Sequence, residues 1–143
     1  YRPLNNQFLN PLMENIRKKY ICKKQIKKGI SGTRNLLEYF KSGTSIALMI
    51  DQRVSEGIRS KFFGREALTT TIPAQFVKKF NCKIVPIHIK RNNDNNFKLK
   101  ILKPLSFSNN DTIETITLAL NSILEKMIIE NPGQWIWTHN RWK

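Results

Sequence analysis

Apolar residues Phe8, Leu9, Leu12, Met13 and Ile16 recur at three- and four-residue intervals, the period of one helical face. Asn5 or Asn6 is placed to cap that helix, which the pattern ends near Tyr20. Six lysines, Lys18, Lys19, Lys23, Lys24, Lys27 and Lys28, precede Gly29. Ser31 or Thr33 then caps a second helix carrying Leu36, Leu37 and Phe40, stopped at Ser42-Gly43. From Thr44 to Ile50 the chain is almost continuously apolar, the pattern of a strand buried on both faces of a parallel sheet. That run ends at Asp51-Gln52.

A polar, glycine-containing stretch follows to about Leu68, with no regular element expected in it. Ala74, Phe76, Val77 and Phe80 mark a helix running to Asn81-Cys82, and Pro73 suits its first turn. Lys83 to Ile89 reads as a second buried strand. After the polar turn Asn92 to Asn96, Phe97, Leu99 and Ile101 alternate with Lys98 and Lys100, which describes an antiparallel edge strand with one wet face and completes a hairpin. Asp111 with Glu114 resembles a capping box opening a long helix of Ile113, Ile116, Leu120, Ile123, Leu124 and Met127, terminated by Pro132-Gly133. A tryptophan-rich tail, Gln134 to Lys143, closes the sequence.

Strands alternating with helices predict an α/β fold with a mostly parallel central sheet flanked by helices, in a single domain over residues 1–143. In such folds ligands gather at loops beyond the strand C-termini, where Asp51 falls. No apolar run approaches the roughly 20 residues that span a bilayer, so any membrane contact of this stretch is expected to be peripheral.

Charge narrows the partners. Twenty-five Lys and Arg against ten Asp and Glu give a net charge of +15. That excess favours nucleic acid, anionic lipid or a phosphorylated glycolipid, although lysine coating solvated faces would produce the same count. No nucleic-acid reading motif accompanies it. Cys22 and Cys82 have no paired spacing, and His88 and His139 stand alone, so reduced thiols and no metal site are expected. The start at Tyr1-Arg2-Pro3, with no secretory leader pattern, suggests a fragment or processed product.

The stretch richest in candidate chemistry runs from Asp51-Gln52-Arg53-Val54-Ser55-Glu56-Gly57-Ile58 through Lys61-Phe62-Phe63-Gly64-Arg65-Glu66-Ala67-Leu68-Thr69. An acid and an amide at a strand end can orient a hydroxyl or an arginine, and Gly57 and Gly64 permit close backbone approach to a ligand. A plain surface loop would use the same glycines for turning alone.

The order Asp-Gln, Glu-Gly-Ile, Phe-Phe-Gly-Arg, Ala-x-Thr, helix, Ile-Val-Pro-Ile resembles the lipid A lauroyl/myristoyl acyltransferases of Gram-negative bacteria. Tyr1-Arg2-Pro3-Leu4-Asn5-Asn6 is similar to the family's Tyr-Arg-Pro block, and Asn131 to Lys143 resembles its closing Pro-x-Gln-Trp/Tyr-x-Trp-x-His-x-Arg signature. The resemblance implies a glycerol-3-phosphate acyltransferase-like fold, incomplete at the N-terminus. It also implies a His-x4-Asp/Glu motif upstream of Tyr1, since neither His88 nor His139 has an acid at that spacing. The activity implied is transfer of an acyl chain from acyl-carrier protein to a hydroxyacyl group of a phosphorylated lipid A precursor. It would take place at the cytoplasmic face of the inner membrane, against the membrane surface, with no cofactor.

By the same resemblance, Arg2 would meet phosphate or the developing oxyanion. Asp51, Gln52, Glu56 and Gly57 would face the acceptor's polar head, the acids orienting Arg53, Arg59 or sugar hydroxyls. Phe62, Phe63 and Gly64 would line the acyl path or belong to the core, and Thr69 would serve the site or cap the next helix. Lys61 replaces the proline usual before Phe-Phe-Gly. Trp135, Trp137 and Trp142 are expected to pack beside His139 rather than lie at a membrane interface. The competing readings are a basic nucleic-acid-binding domain and a noncatalytic anionic-lipid-binding domain.

Overall fold

Residues 1–143 are described by a computed structural model, the side chain of Ile30 excepted. The chain divides into two compact units, Tyr1–Ala47 and Leu48–Lys143.

The first unit holds α1 (Leu9–Tyr20) and α2 (Ile30–Lys41). Asn6 starts α1 as expected: its Oδ1 accepts from the Phe8 and Leu9 amides at 2.9 and 3.1 Å. At α2 the cap position falls to Gly29, whose φ of 136° a side chain would disfavour, so neither Ser31 nor Thr33 caps it. Lys27 Nζ lies 2.9 Å from Glu14 Oε1, and the Arg17 guanidinium lies 4.8 Å from the centre of the Tyr1 ring. One apolar stripe of α1, Leu9, Leu12 and Ile16, remains exposed.

The second unit contains β1 (Ile58–Phe62), β2 (Arg65–Thr69), α3 (Ile72–Phe80), β3 (Ile87–Arg91), β4 (Phe97–Ile101) and α4 (Ile113–Glu130), followed by a 3-10 turn at Pro132–Gln134. Strands β1 and β2 form an antiparallel hairpin in register from Ile58 opposite Thr69 to Phe62 opposite Arg65. Its two-residue turn, Phe63-Gly64, has φ of 50° and 74°, both positive, as a type I′ hairpin turn requires. Along the hairpin, Ser60, Phe62, Ala67 and Thr69 are buried while Arg59, Lys61 and Glu66 face solvent. The buried face packs on α4.

Two apolar clusters stabilise this unit. Ala74 and Val77 of α3 meet Ile116 and Leu120 of α4, with Ile50, Ile84 and Leu105 against them. Phe62, Ala67 and Ile128 form the other with Phe63, Leu124, Trp135 and Trp142. The long helix starts one residue later than the Asp111 box: Thr112 and Thr115 cap each other, while Asp111 Oδ2 accepts from the Ser108 amide at 2.6 Å.

The expected mostly parallel central sheet is not what forms. Four α-helices accompany two small antiparallel two-stranded sheets, β1-β2 and β3-β4. The apolar run Thr44–Ile50 joins no ladder, because no strand lies beside it among the described residues, and Ile50 instead packs into the α3/α4 cluster. The Lys83–Ile89 segment gives an isolated bridge, Ile84 with Leu105, and then β3. Apolar runs of this length carry no information on whether a partner is present, and here the partners that exist are those reachable by short turns.

The expected β3-β4 hairpin does form, with Ile87 opposite Ile101 and Arg91 opposite Phe97. It departs from expectation in burial: Ile87, Ile89, Phe97, Leu99 and Ile101 share one face and are each exposed. His88 and Lys100, on the other face, both reach Glu130 of α4, at 3.6 and 3.3 Å. No described helix is long and apolar enough to cross a membrane.

Candidate functional site

Within the second unit, Asp51 to Gly57 leads from the extended apolar run into β1; one backbone contact ties it to β2 and another closes a turn within it. The Val54 amide donates to Leu68 O at 3.2 Å, and the Gly57 amide donates to Val54 O at 2.9 Å. A Cβ on Gly57 would collide with the backbone of Thr69. The close approach that glycine allows here is therefore to the protein's own chain.

The rest of the loop is held from the C-terminal tail. Arg141 is fully buried, and its guanidinium lies 4.3 Å from the centre of the Phe62 ring. Its Nη1 donates to Ile50 O at 2.7 Å and to Gln52 O at 3.4 Å. Its Nη2 donates to Thr69 Oγ1 at 3.2 Å and to Asn121 Oδ1 at 3.0 Å, while Nε is buried without a partner. Burial pulls this guanidinium below its usual pKa range, and the charge of Asp51 opposes that shift. Two residues earlier, His139 Nε2 accepts from the Arg53 amide at 3.2 Å. The Arg53 side chain donates to Lys143 O at 2.8 Å and to Ser55 Oγ at 3.2 Å.

Asn121 completes the network from α4. It is fully buried, and its Nδ2 donates to Lys61 O at 3.0 Å and to Thr69 Oγ1 at 3.2 Å. Thr69 Oγ1 in turn donates to Ala67 O at 3.1 Å. Thr69 thus belongs to this buried network and does not cap α3, whose N-terminal residue Ile72 turns instead to Thr70 Oγ1 at 3.4 Å.

The structure brings Asp51, Gln52, Glu56, Gly57 and Thr69 to one end of the β1-β2 hairpin. Phe63 and Gly64 occupy the turn at the other end, roughly 13 Å along a five-residue strand. Phe62 is wholly buried, its ring edge-on to Phe63 and Trp135 and 5.6 Å from Trp142. Phe63, half-buried, is held by its amide donating to Glu125 Oε1 at 2.7 Å and lies 6.2 Å from Trp137. These aromatics therefore serve as core. Arg2 lies exposed in the first unit.

The tail seats itself residue by residue. Gln134 brackets Arg91 of β3, accepting from its amide at 2.9 Å and donating to its carbonyl at 2.8 Å. Trp137 Nε1 donates to Pro132 O at 2.7 Å, and Trp142 Nε1 to Phe62 O at 3.0 Å. Asn121 and Arg141 were not singled out as candidates by sequence reasoning. Asn121 had a signal: it lies on one helical stripe with Thr117, Leu124 and Ile128, a primary amide among buried positions. Arg141 had none apart from its place in the closing block.

A cleft lined by Asn81, Cys82, Lys83, Ser106 and Phe107 shares no residue with this network. The His88 and Glu130 pair also stands apart from it, with Glu130 divided between His88 and Lys100.

The whole chain, residues 1–143, matches the family model described as bacterial lipid A biosynthesis acyltransferase, and the chain belongs to that family. Comparison with individually curated proteins found no match. Membership makes the protein an acyltransferase of lipid A biosynthesis, with a lipid A-type acyl acceptor.

Proposed function

We propose that the full-length protein transfers a fatty acyl chain from acyl-carrier protein to a hydroxyacyl group on a phosphorylated lipid A precursor. The reaction takes place at the cytoplasmic face of the inner membrane. A general base takes the proton from the acceptor hydroxyl, the oxygen attacks the thioester carbonyl, and the carrier thiol leaves. Tyr1–Lys143 contributes orientation and charge to that reaction; its own two histidines are engaged with Glu130 and with the Arg53 amide. Asp51, Gln52 and Glu56 contact the acceptor's polar head.

One observation carries this reading. Two blocks nearly ninety residues apart in sequence, Asp51–Arg53 and His139–Arg141, are joined by direct hydrogen bonds into one assembly. The exposed apolar stripe of α1, followed by Lys18 and Lys19, supports contact with an anionic lipid surface.

The test is to incubate purified full-length protein with acyl-carrier-protein thioester and lipid A precursor and to weigh the glycolipid by mass spectrometry. A product heavier by one acyl chain is expected, and an unchanged precursor rejects the proposal. Residues 1–143 alone should turn over slower by about two to four orders of magnitude, the usual contribution of a general base.

A further inference from the structure

We infer that His139 and Arg141 are positioning residues, a C-terminal latch that fixes the Asp51–Glu56 loop in the form that receives the acceptor. This inference rests on the acyl-transfer reading above and extends it to residues outside the loop.

The geometry is specific about which atoms are held. Arg141 bonds Ile50 O and Gln52 O, the carbonyls on either side of Asp51, so one guanidinium sets the backbone from which that carboxylate projects. His139 Nε2 takes the next amide, that of Arg53. The segment from Ile50 to Arg53 belongs to no strand or helix; the Ile50 side chain packs into the α3/α4 cluster, and the polar backbone beyond it is held by the tail. Its polar anchors come from residues 139, 141 and 143 rather than from a ladder.

A cation removed from water without an ion-pair partner is a costly way to anchor a turn. No carboxylate lies within ion-pair reach of Arg141 among the described residues; carbonyl, hydroxyl and amide oxygens satisfy its Nη atoms. The nearby charge that favours it is Asp51, the residue whose backbone it brackets. A planar fork of donors can span two carbonyls and two side chains at once, whereas an ammonium group offers a single point. The imidazole acts differently. Nε2 accepts from an amide only when it carries no proton, so the neutral ring is the holding form.

The experiment uses full-length protein with His139→Ala, His139→Gln and Arg141→Lys, and varies acyl donor and lipid acceptor separately. His139→Ala should lower kcat/KM for the acceptor by up to about tenfold, through KM, the effect of one lost hydrogen bond. The KM for acyl donor should stay within about twofold, since a merely structural lesion would not distinguish the two substrates. His139→Gln restores an acceptor atom and should recover most of the loss. Arg141→Lys should lose more than His139→Ala, and in the same substrate.

Amide hydrogen exchange on the same proteins reads the latch without catalysis. His139→Ala should speed exchange at Arg53 and its loop neighbours, leave α4 and the β1-β2 pairs unchanged, and be reversed by His139→Gln. Equal losses for donor and acceptor, no rescue by Gln, or unchanged exchange at Arg53 would overturn the latch. Wild-type protein without turnover would sink the acyl-transfer reading alone, and the exchange arm would still decide whether the latch exists.

Discussion

Gly57 and Gly64 make opposite demands on a side chain, although both sit in the same sequence block. At Gly57 the backbone conformation is ordinary, but a Cβ would strike the Thr69 backbone, so space is the constraint. At Gly64 a Cβ would meet nothing, yet φ is 74°, so conformation is the constraint. A collision of backbone with backbone has no rotamer to relieve it. Gly57→Ala should therefore cost about 3 kcal/mol, the upper range for overpacking, and disturb the Thr69 end of β2. Gly64→Ala should cost about 1 kcal/mol, the left-handed penalty for one residue. Urea unfolding of the two variants checks the order, and a larger loss at Gly64 would contradict it. The sequence marked both glycines as places where backbone could approach a ligand or simply turn, but it could not say that the close neighbour of Gly57 is the chain itself. That fact depends on the hairpin register, which places Thr69 opposite Ile58.

At the scale of elements, local signals were readable and partner choice was not. The helical spacing of Leu9, Leu12 and Ile16, the stop at Pro132-Gly133 and the Phe97–Ile101 alternation each translate into an observed element. The β1-β2 hairpin went unseen because Arg65, Glu66 and Lys61 hide the alternation of Ser60, Phe62, Ala67 and Thr69, and because the turn uses Phe63 at positive φ. The apolar run Thr44–Ile50 failed in the opposite sense: it has strand composition but no neighbouring strand. Side-chain ties between elements were also invisible, and the clearest lies in the first unit. Glu14 of α1 is held by Lys27, by Asn10 and by the Tyr1 hydroxyl, which together lower its pKa from 4.5 to about 2. Because the folded value lies below the unfolded one, its contribution is present in full above about 4.5 and is lost as pH falls through about 2. An NMR titration should find the Glu14 carboxyl still ionised at pH 3 (about one unit above that value). Lys27→Ala should return it towards the ordinary carboxylate range; titration near 4.5 in the wild type would contradict the arrangement.

For the whole molecule, the question is whether the +15 charge has a direction or merely keeps the protein in solution. Ten of the 25 basic residues fall in Tyr1–Ala47, against two of the ten acids, so the shorter unit is the more densely charged. Lys18, Lys19 and Lys23 are all exposed, at and just beyond the end of a helix whose Leu9, Leu12 and Ile16 are also exposed. Lys27 is paired with Glu14 and Lys24 lies over the Tyr39 ring, ties between distant segments, whereas Lys19 lies over the ring of its sequence neighbour Tyr20. If the excess is a solvated coat, any three exposed lysines are equivalent. If α1 meets an anionic bilayer, these three count for more, at about 1 kcal/mol for each lysine close to the surface. Replacing Lys18, Lys19 and Lys23 with Gln in full-length protein should then weaken binding to vesicles containing anionic lipid by about a hundredfold. The same triple change at Lys78, Lys79 and Lys126, exposed on α3 and α4, should weaken it far less. Both effects should shrink as salt is raised, because exposed charges are screened over about 10 Å at 0.1 M. Equal losses from the two triples would return the charge to a general coat and remove α1 from the membrane-facing surface.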